Sequence, residues 1–208
     1  MRQESQDKQE LIINAAIRRF SHFGVGKTTM TEIADDVKLS KQSLGYYFPE
    51  KQSLIDAVEG KIIEEYFDRL EAAIKQAASG AKALEKIVDV KEQLIERYYM
   101  MAIEDGAREA FKAEVSKNKI RERVTNRLVE KIAKVIEVGV QSGEFRVSQP
   151  QATAKLMYEI MESHQHCALT RTALPDMKQV HATMKKQKEI LRLLINGLRH
   201  GDEPIHSK

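Results

Sequence analysis

The sequence predicts an all-helical protein, and three observations support this fold class. Apolar residues recur at spacings of three and four along most of the chain, as they do on one face of an amphipathic helix. No alternating strand pattern of useful length occurs, and only four prolines interrupt the 208 residues. Hydrophobic residues make up 42% and charged residues 31% of the chain, which is a globular composition with enough apolar material for a core.

The first helix is predicted to extend to Phe23. Leu11 and Phe20 belong to its apolar face, which repeats at spacings of three and four. Gly24 and Gly26 follow, and glycine tolerates the left-handed conformation found at helix ends. The helix is therefore expected to stop there.

Two short helices are predicted next. Thr29 and Glu32 have the spacing of a capping box, which predicts a helix over 30–37. Ser40 is a good N-cap for a second helix over 41–47. Two short helices joined by a tight turn form a helix-turn-helix, which needs flanking helices to bury its apolar faces.

The rest of the chain is predicted to be helical almost to its end. A longer helix begins at Glu50 or Lys51, and the last two long helices cover roughly 150–170 and 177–199, with a polar tail from Gly201 onward. Breaks between helices are expected at Ser79–Gly80, Gly106, Gly143 and Pro175.

The segment from Gly24 to Lys51 contains cap, turn and aromatic residues in a defined order. They are Thr28-Thr29, Ile33-Ala34, Val37, Leu39-Ser40, Leu44, Tyr46-Tyr47-Phe48 and Lys51. In order and spacing they resemble the DNA-binding signature of the TetR family of transcriptional regulators. A second, weaker resemblance lies at 139–145, where a long helix ends in Gly-Glu-Phe.

The resemblance implies a ligand-responsive regulator with two domains. Residues 1–51 would form the helix-turn-helix DNA-binding domain, in which 41–47 is the recognition helix. Residues 52–208 would form the ligand-binding and dimerisation domain. A homodimer would bind near-palindromic double-stranded DNA in successive major grooves. A small-molecule effector would release the dimer from DNA. The resemblance also implies that the protein is a repressor.

Local charge agrees with contact to DNA, although the net charge of +3 proves little by itself. No acidic residue occurs over 37–49, which suits a surface that faces phosphates. Gln42 can pair with adenine and Lys41 can donate to guanine. Gln42 and Gly45 depart from the family, which usually has a small residue and a tyrosine there. The candidate DNA-binding residues are Lys27, Thr28, Thr29, Lys38, Ser40, Lys41, Gln42, Ser43, Tyr46, Tyr47 and Lys51.

The resemblance also implies an effector pocket and a dimer interface. Aromatic and methionine side chains suit an apolar pocket with a few polar groups, although ordinary core packing explains each one equally well. The candidate ligand-binding residues are Tyr66, Phe67, Tyr98, Phe111, Met157, Tyr158, Met161 and His164. The last two helices would form a four-helix bundle with their mates. Its interface residues would be Ile160, Leu191, Leu194 and Leu198.

Other functions have less support. The run 26–28 suggests a phosphate-binding loop, but that motif needs a glycine where Ser21 stands and a preceding strand. No nucleophile elbow, zinc-protease helix motif or clear carboxylate pair favours an enzyme. A helical interaction protein without DNA binding remains an alternative, because Gly45 removes an expected phosphate contact. His164, His166 and Cys167 form no convincing metal site, so neither a metal nor another cofactor is expected.

The sequence predicts a cytoplasmic protein. No apolar run approaches the roughly 18 residues that span a membrane, and the polar N-terminus has no apolar stretch of a signal peptide. The single cysteine cannot form an intramolecular disulfide, which agrees with a reducing compartment.

Overall fold

The computed structural model describes residues 2–101, 115–169 and 176–200. Within these ranges the chain forms helices joined by short turns and has no strand, so the predicted fold class is confirmed. The predicted bend at Gly106, the break at Pro175, the candidate Phe111 and the tail from Gly201 lie outside the described residues. The helices are α1 Arg2–Phe23, α2 Met30–Asp36, α3 Lys41–Tyr47, α4 Lys51–Lys75, α5 Gly80–Arg97, α6 Val115–Gln141, α7 Pro150–Leu169 and α8 Met177–His200.

The caps that the sequence indicates define the short helices. Thr29 accepts a hydrogen bond from the Glu32 amide at 3.3 Å, and the Glu32 carboxylate accepts one from the Thr29 amide at 2.7 Å. Ser40 caps α3 by accepting from the Ser43 amide at 3.0 Å. Between α2 and α3, Lys38 adopts a positive φ of 56°. This left-handed turn reverses the chain, and no glycine signals it in the sequence.

A first hydrophobic core lies among α1, α2, α3 and the start of α4. Its fully buried members include Ile12, Phe20 and Leu44. Leu54 and Val58 of α4 belong to the same core. This packing extends beyond residue 51, so it groups the first two turns of α4 with the helix-turn-helix rather than with the body.

A second core lies among α4, α5, α6, α7 and α8. Phe67, Leu84, Ile136 and Met184, from four of these helices, are fully buried in it. α4 therefore contributes to both cores. No helix in the described part of the chain is long and apolar enough to cross a membrane.

The turn after α6 is built around Phe145. Gly143 has a positive φ of 79°, and the Phe145 amide donates to the Gly139 carbonyl at 3.0 Å. The Phe145 ring lies against both Gly139 and Gly80, where a Cβ atom would overlap it. The Gly-Glu-Phe run thus connects the end of α6 to the start of α5.

Glu144 caps the N-terminus of α5. Its carboxylate accepts hydrogen bonds from the amides of Gly80 at 2.6 Å and Ala81 at 3.1 Å. Burial alone raises the pKa of Glu144, but the amide hydrogen bonds, with help from Ser79 and Arg199, outweigh it and hold the pKa below its ordinary value. A depressed carboxyl pKa stabilises the fold above the unfolded-state pKa, and this contribution is lost as the pH falls through the folded-state pKa.

We therefore expect Glu144→Gln to lower the melting temperature at neutral pH. Between about pH 5 and pH 3, the melting temperature of the variant should fall less than that of the parent protein. Thermal unfolding of both proteins across this range is the measurement. Glu130→Gln, at an exposed position of α6, is the control and should follow the parent protein. Parallel pH curves for the parent and Glu144→Gln would contradict the assignment.

Candidate nucleic-acid interface and ligand cavity

The first turn of α3 presents polar side chains to solvent. Leu44 is buried, and this orients the helix so that Lys41, Gln42 and Ser43 are all exposed. Tyr46 is 81% exposed and Tyr47 is half-buried. This face therefore combines a cation, an amide, a hydroxyl and an aromatic ring. These groups suit contact with bases and phosphates.

Two of the predicted DNA-binding residues stabilise the loop between α1 and α2 instead. Thr28 is only 2% exposed, and its hydroxyl donates to the Gly24 carbonyl at 2.9 Å. The Lys51 ammonium donates to the Val25 carbonyl at 2.5 Å. The prediction is corrected for Thr28, whose side chain is closed off from solvent, and Lys51 is held back from the surface. The other candidates are exposed or partly exposed: Lys27, Thr29, Lys38, Ser40, Lys41, Gln42, Ser43, Tyr46 and Tyr47.

Two acidic side chains of α2, next to this surface, form ion pairs with Arg19 of α1. Its guanidinium donates to the Asp36 carboxylate at 2.6 and 2.8 Å and lies 3.3 Å from Glu32. The hydrogen bond from Arg19 lowers the pKa of Asp36. The pairing orients α2 against α1 and reduces repulsion between α2 and a phosphate backbone.

Packing does not require glycine at position 45. A Cβ atom built on Gly45 would meet nothing within 4 Å. The absence of a larger side chain here is therefore a property of the surface rather than of the core.

A cavity of about 760 Å³ lies among α4, α5, α6 and α7. Three of the predicted ligand-binding residues line it: Tyr66, Tyr98 and Tyr158. Met157 and Met161 line a cleft of about 40 Å³ beside it. The volume of the larger cavity, about 760 Å³, is within the usual range for small-molecule sites.

Phe67 and His164 line neither space. Phe67 is buried in the body core, with the Arg127 guanidinium 3.9 Å from its ring centroid. His164 is half-buried, and its Nδ1 atom has no hydrogen-bond partner among the described residues. The assignment of these two to the cavity is corrected, because adjacent positions on a helix point in different directions.

Sequence reasoning missed most of the cavity lining. On α4, Glu59, Ile62 and Ile63 share a face with Tyr66 and line the cavity with it. Their spacing of three, four and seven residues from Tyr66 indicates in the sequence that they share its helix face. Lys91 and Glu162 also line the cavity and form an ion pair between α5 and α7. That pairing joins residues far apart in sequence, so no local pattern indicates it.

The outer face of α7 and α8 is apolar. Leu156 is 57% exposed and Leu193 is 72% exposed, and both line a groove of about 290 Å³ between the two helices. Leu191, predicted at a dimer interface, is buried in the protomer's own core and does not line the groove. The prediction is corrected for Leu191, since its side chain already packs inside one protomer. The other three candidates line the same groove: Ile160 and Leu194 are partly exposed, and Leu198 is 7% exposed.

One cluster of metal-type ligands occurs among the described residues, formed by Glu92, Glu96 and His181. Lys188 lies in the same place, with its ammonium 2.6 Å from the Glu92 carboxylate. The cluster is thus an ion-pair network between α5 and α8. The candidates considered from the sequence lie outside it: His164, His166 and Cys167.

Comparison with known proteins agrees with this geometry. Residues 12–58 match the family described as bacterial regulatory proteins, tetR family. The HTH-type transcriptional regulator RutR of Escherichia coli O157:H7 is 28% identical over 201 residues, covering 92% of this chain and 91% of RutR.

Solved structures share the whole architecture. A transcriptional regulator from Cytophaga hutchinsonii superposes with a TM-score of 0.83 at 28% identity, covering 91% of this chain and 97% of that one. A putative transcriptional regulator from Saccharomonospora viridis, solved in complex with choline, has the same fold, with a TM-score of 0.66, 16% identity and coverage of 92% and 96%. These relatives are regulators and not enzymes. The match over the helix-turn-helix and the likeness over the full length identify the chain as a member of the TetR family of transcriptional regulators.

Proposed function

We propose that this regulator is a homodimeric repressor that binds a near-palindromic operator and leaves it when a small molecule occupies the cavity. The observation that carries the proposal is the exposed first turn of α3. Lys41, Gln42 and Ser43 project from it, and no acidic residue lies over 37–49. In a helix-turn-helix this turn reaches base edges in the major groove. Because the partner is genomic DNA, a cytoplasmic location follows.

Titration of the purified protein against labelled duplex from the region upstream of its own gene tests DNA binding. We expect tight binding that weakens steeply with salt, since lysine contacts to phosphates release counterions. A scrambled duplex of the same length should bind more weakly at every salt concentration. Equal affinity for both duplexes would contradict a sequence-specific regulator and favour a helical interaction protein without DNA binding.

Dimerisation is proposed through the apolar outer face of α7 and α8. Leu156 and Leu193 are largely exposed there, and a second copy would remove them from water. Helices α7 and α8 of two protomers would then form a four-helix bundle. Twofold symmetry would place two recognition helices on the two halves of a palindrome.

We expect Leu193→Glu to convert the dimer to a monomer, because it would bury an unpaired carboxylate at the interface. Size-exclusion chromatography with light scattering should then report the mass of one 23.7 kDa chain. Val138→Glu, at an exposed position of α6, is the matched control and should keep the parent's mass. A dimeric Leu193→Glu protein would exclude this face as the interface.

The proposed release mechanism depends on α4. This helix contributes Leu54 and Val58 to the core under the helix-turn-helix, and Ile62 and Tyr66 to the cavity wall. Met101 is buried in the same core and also lines the cavity. Both α4 and Met101 therefore connect the cavity to the first core. A molecule in the cavity can act through them on the packing beneath α3.

Release requires the effector to bind the DNA-free conformation more tightly than the DNA-bound one. The choline complex of the Saccharomonospora viridis protein supports a ligand site in this fold. A molecule that binds the body without changing operator affinity would contradict the release mechanism but not the DNA-binding assignment.

A further inference from the structure

The cavity wall is mainly apolar. Ile62, Ile63, Leu94, Ile95, Val124 and Leu128 supply most of its hydrophobic surface. Such a wall binds a ligand by removing apolar surface from water, and a few polar groups then fix its orientation. The chemical class of the ligand is therefore decided by the polar groups that remain without a partner.

One buried polar side-chain atom on the wall lacks a partner among the described residues, the hydroxyl oxygen of Tyr66. The residue is only 9% exposed, and its oxygen is buried with no hydrogen bond. The other two tyrosines of the wall differ, since Tyr98 donates to Glu65 and the Tyr158 hydroxyl lies 2.9 Å from the Thr125 hydroxyl. A buried hydroxyl without a partner costs free energy, which a hydrogen-bonding ligand would recover.

The surroundings of Tyr66 keep its hydroxyl protonated. Burial, followed by the negative charge of Glu162 and the nearby Tyr158, raises its pKa. Tyr66, Tyr158 and Glu162 all line the cavity. The Tyr66 hydroxyl is therefore a protonated hydrogen-bond donor within the cavity wall.

The charged groups of the wall already have partners. Lys91 and Glu162 neutralise each other across the cavity. Glu59, Arg121 and His166 each have an interaction as well. Among the described residues of the wall, an ionised ligand would therefore have to compete with or separate an existing interaction, which is costly in an apolar site.

We propose that the effector is an uncharged, largely apolar molecule with a hydrogen-bond acceptor, such as a carbonyl oxygen, that receives the Tyr66 hydroxyl. This rests on the proposed function of the cavity as the effector site. It excludes carboxylates and ammonium compounds as the main ligand class.

Four probes with the same two phenyl rings separate the classes: benzophenone, diphenylmethane, diphenylacetate and aminodiphenylmethane. Their affinities are measured by calorimetry for the parent protein, Tyr66→Phe and Tyr99→Phe. We expect benzophenone to bind most tightly and both ionised probes to bind roughly tenfold or more weakly. Tyr66→Phe should weaken benzophenone roughly three- to tenfold and leave diphenylmethane unchanged. Tyr99→Phe is the control, because Tyr99 packs against the second core but is not among the residues that line the cavity, and it should change neither affinity.

Melting temperature without any probe gives an independent readout. Tyr66→Phe should keep or raise it, since the variant removes an unpaired buried hydroxyl, whereas Tyr98→Phe should lower it. Tightest binding of an ionised probe, equal benzophenone affinity in the parent and Tyr66→Phe, or no binding of benzophenone would each overturn the proposal. So would a lowered melting temperature for Tyr66→Phe.

Operator binding measured with and without each probe distinguishes this proposal from the proposed function. Discrimination among the probes without DNA release would support the ligand class and contradict the release mechanism. DNA release by diphenylacetate alone would support the release mechanism and overturn the ligand class.

Discussion

Replacing both Lys41 and Gln42 by alanine is expected to abolish preferential binding to the operator while leaving the fold intact. Both side chains are exposed on the first turn of α3, where they can reach base edges. Each base contact discriminates by about 1–3 kcal/mol, so losing two should weaken specific binding by about two orders of magnitude or more. Fluorescence anisotropy with operator and scrambled duplexes is the measurement, and exposed substitutions should change stability by no more than about 0.5 kcal/mol.

A matched control lies at the C-terminal end of α4. Lys75 and Gln76 are also an exposed lysine followed by a glutamine. Alanine at both positions removes the same charge and the same amide far from α3. This control should retain the parent's preference for the operator. Equal losses in the two double variants, or full specificity in the α3 variant, would show that the first turn of α3 does not read the DNA.

Gly139→Ala is expected to destabilise the fold strongly, whereas Gly60→Ala is expected to stabilise it. The new methyl group at position 139 would overlap the fully buried ring of Phe145. The ring cannot simply move away, because it also packs against Gly80. The contact is so close that a Cβ atom built on Gly80 would lie 2.8 Å from the ring. Overpacking of this kind costs about 1–3 kcal/mol.

Gly60 provides the opposite case for the same substitution. A Cβ atom there would meet nothing within 4 Å, and the residue lies inside α4. Alanine favours a helix interior over glycine by about 1 kcal/mol. Thermal unfolding should shift by about 2–4 °C per kcal/mol for a chain of this size. Shifts of the same sign in both variants would contradict the packing of Phe145 against Gly139.

Gly45 lies in α3 at a position where packing does not require glycine. The sequence marks it as a departure from the family, and the structure provides open space around it. An alanine side chain at position 45 would fit without a steric clash, so packing within the protomer does not select glycine there.

The helices and their ends could be predicted because their signals are local. The capping box of Thr29 and Glu32, the Ser40 cap and the break at Ser79–Gly80 are each defined within a few residues, and all are present in the structure. The start of α1 was harder to recognise. Residues 4–10 are helical but largely exposed, so they have no apolar face to mark them in the sequence.

The sequence by itself determined the all-helical class, the helix-turn-helix and the family, because periodicity, caps and a motif of contiguous residues carry that information. The tertiary structure decided which side chains are accessible. It turned Thr28 toward Gly24, buried Leu191 inside the protomer and left Leu193 outside. These outcomes depend on contacts between helices distant in sequence. A helix has several partly apolar faces, and only its neighbours determine which face is covered.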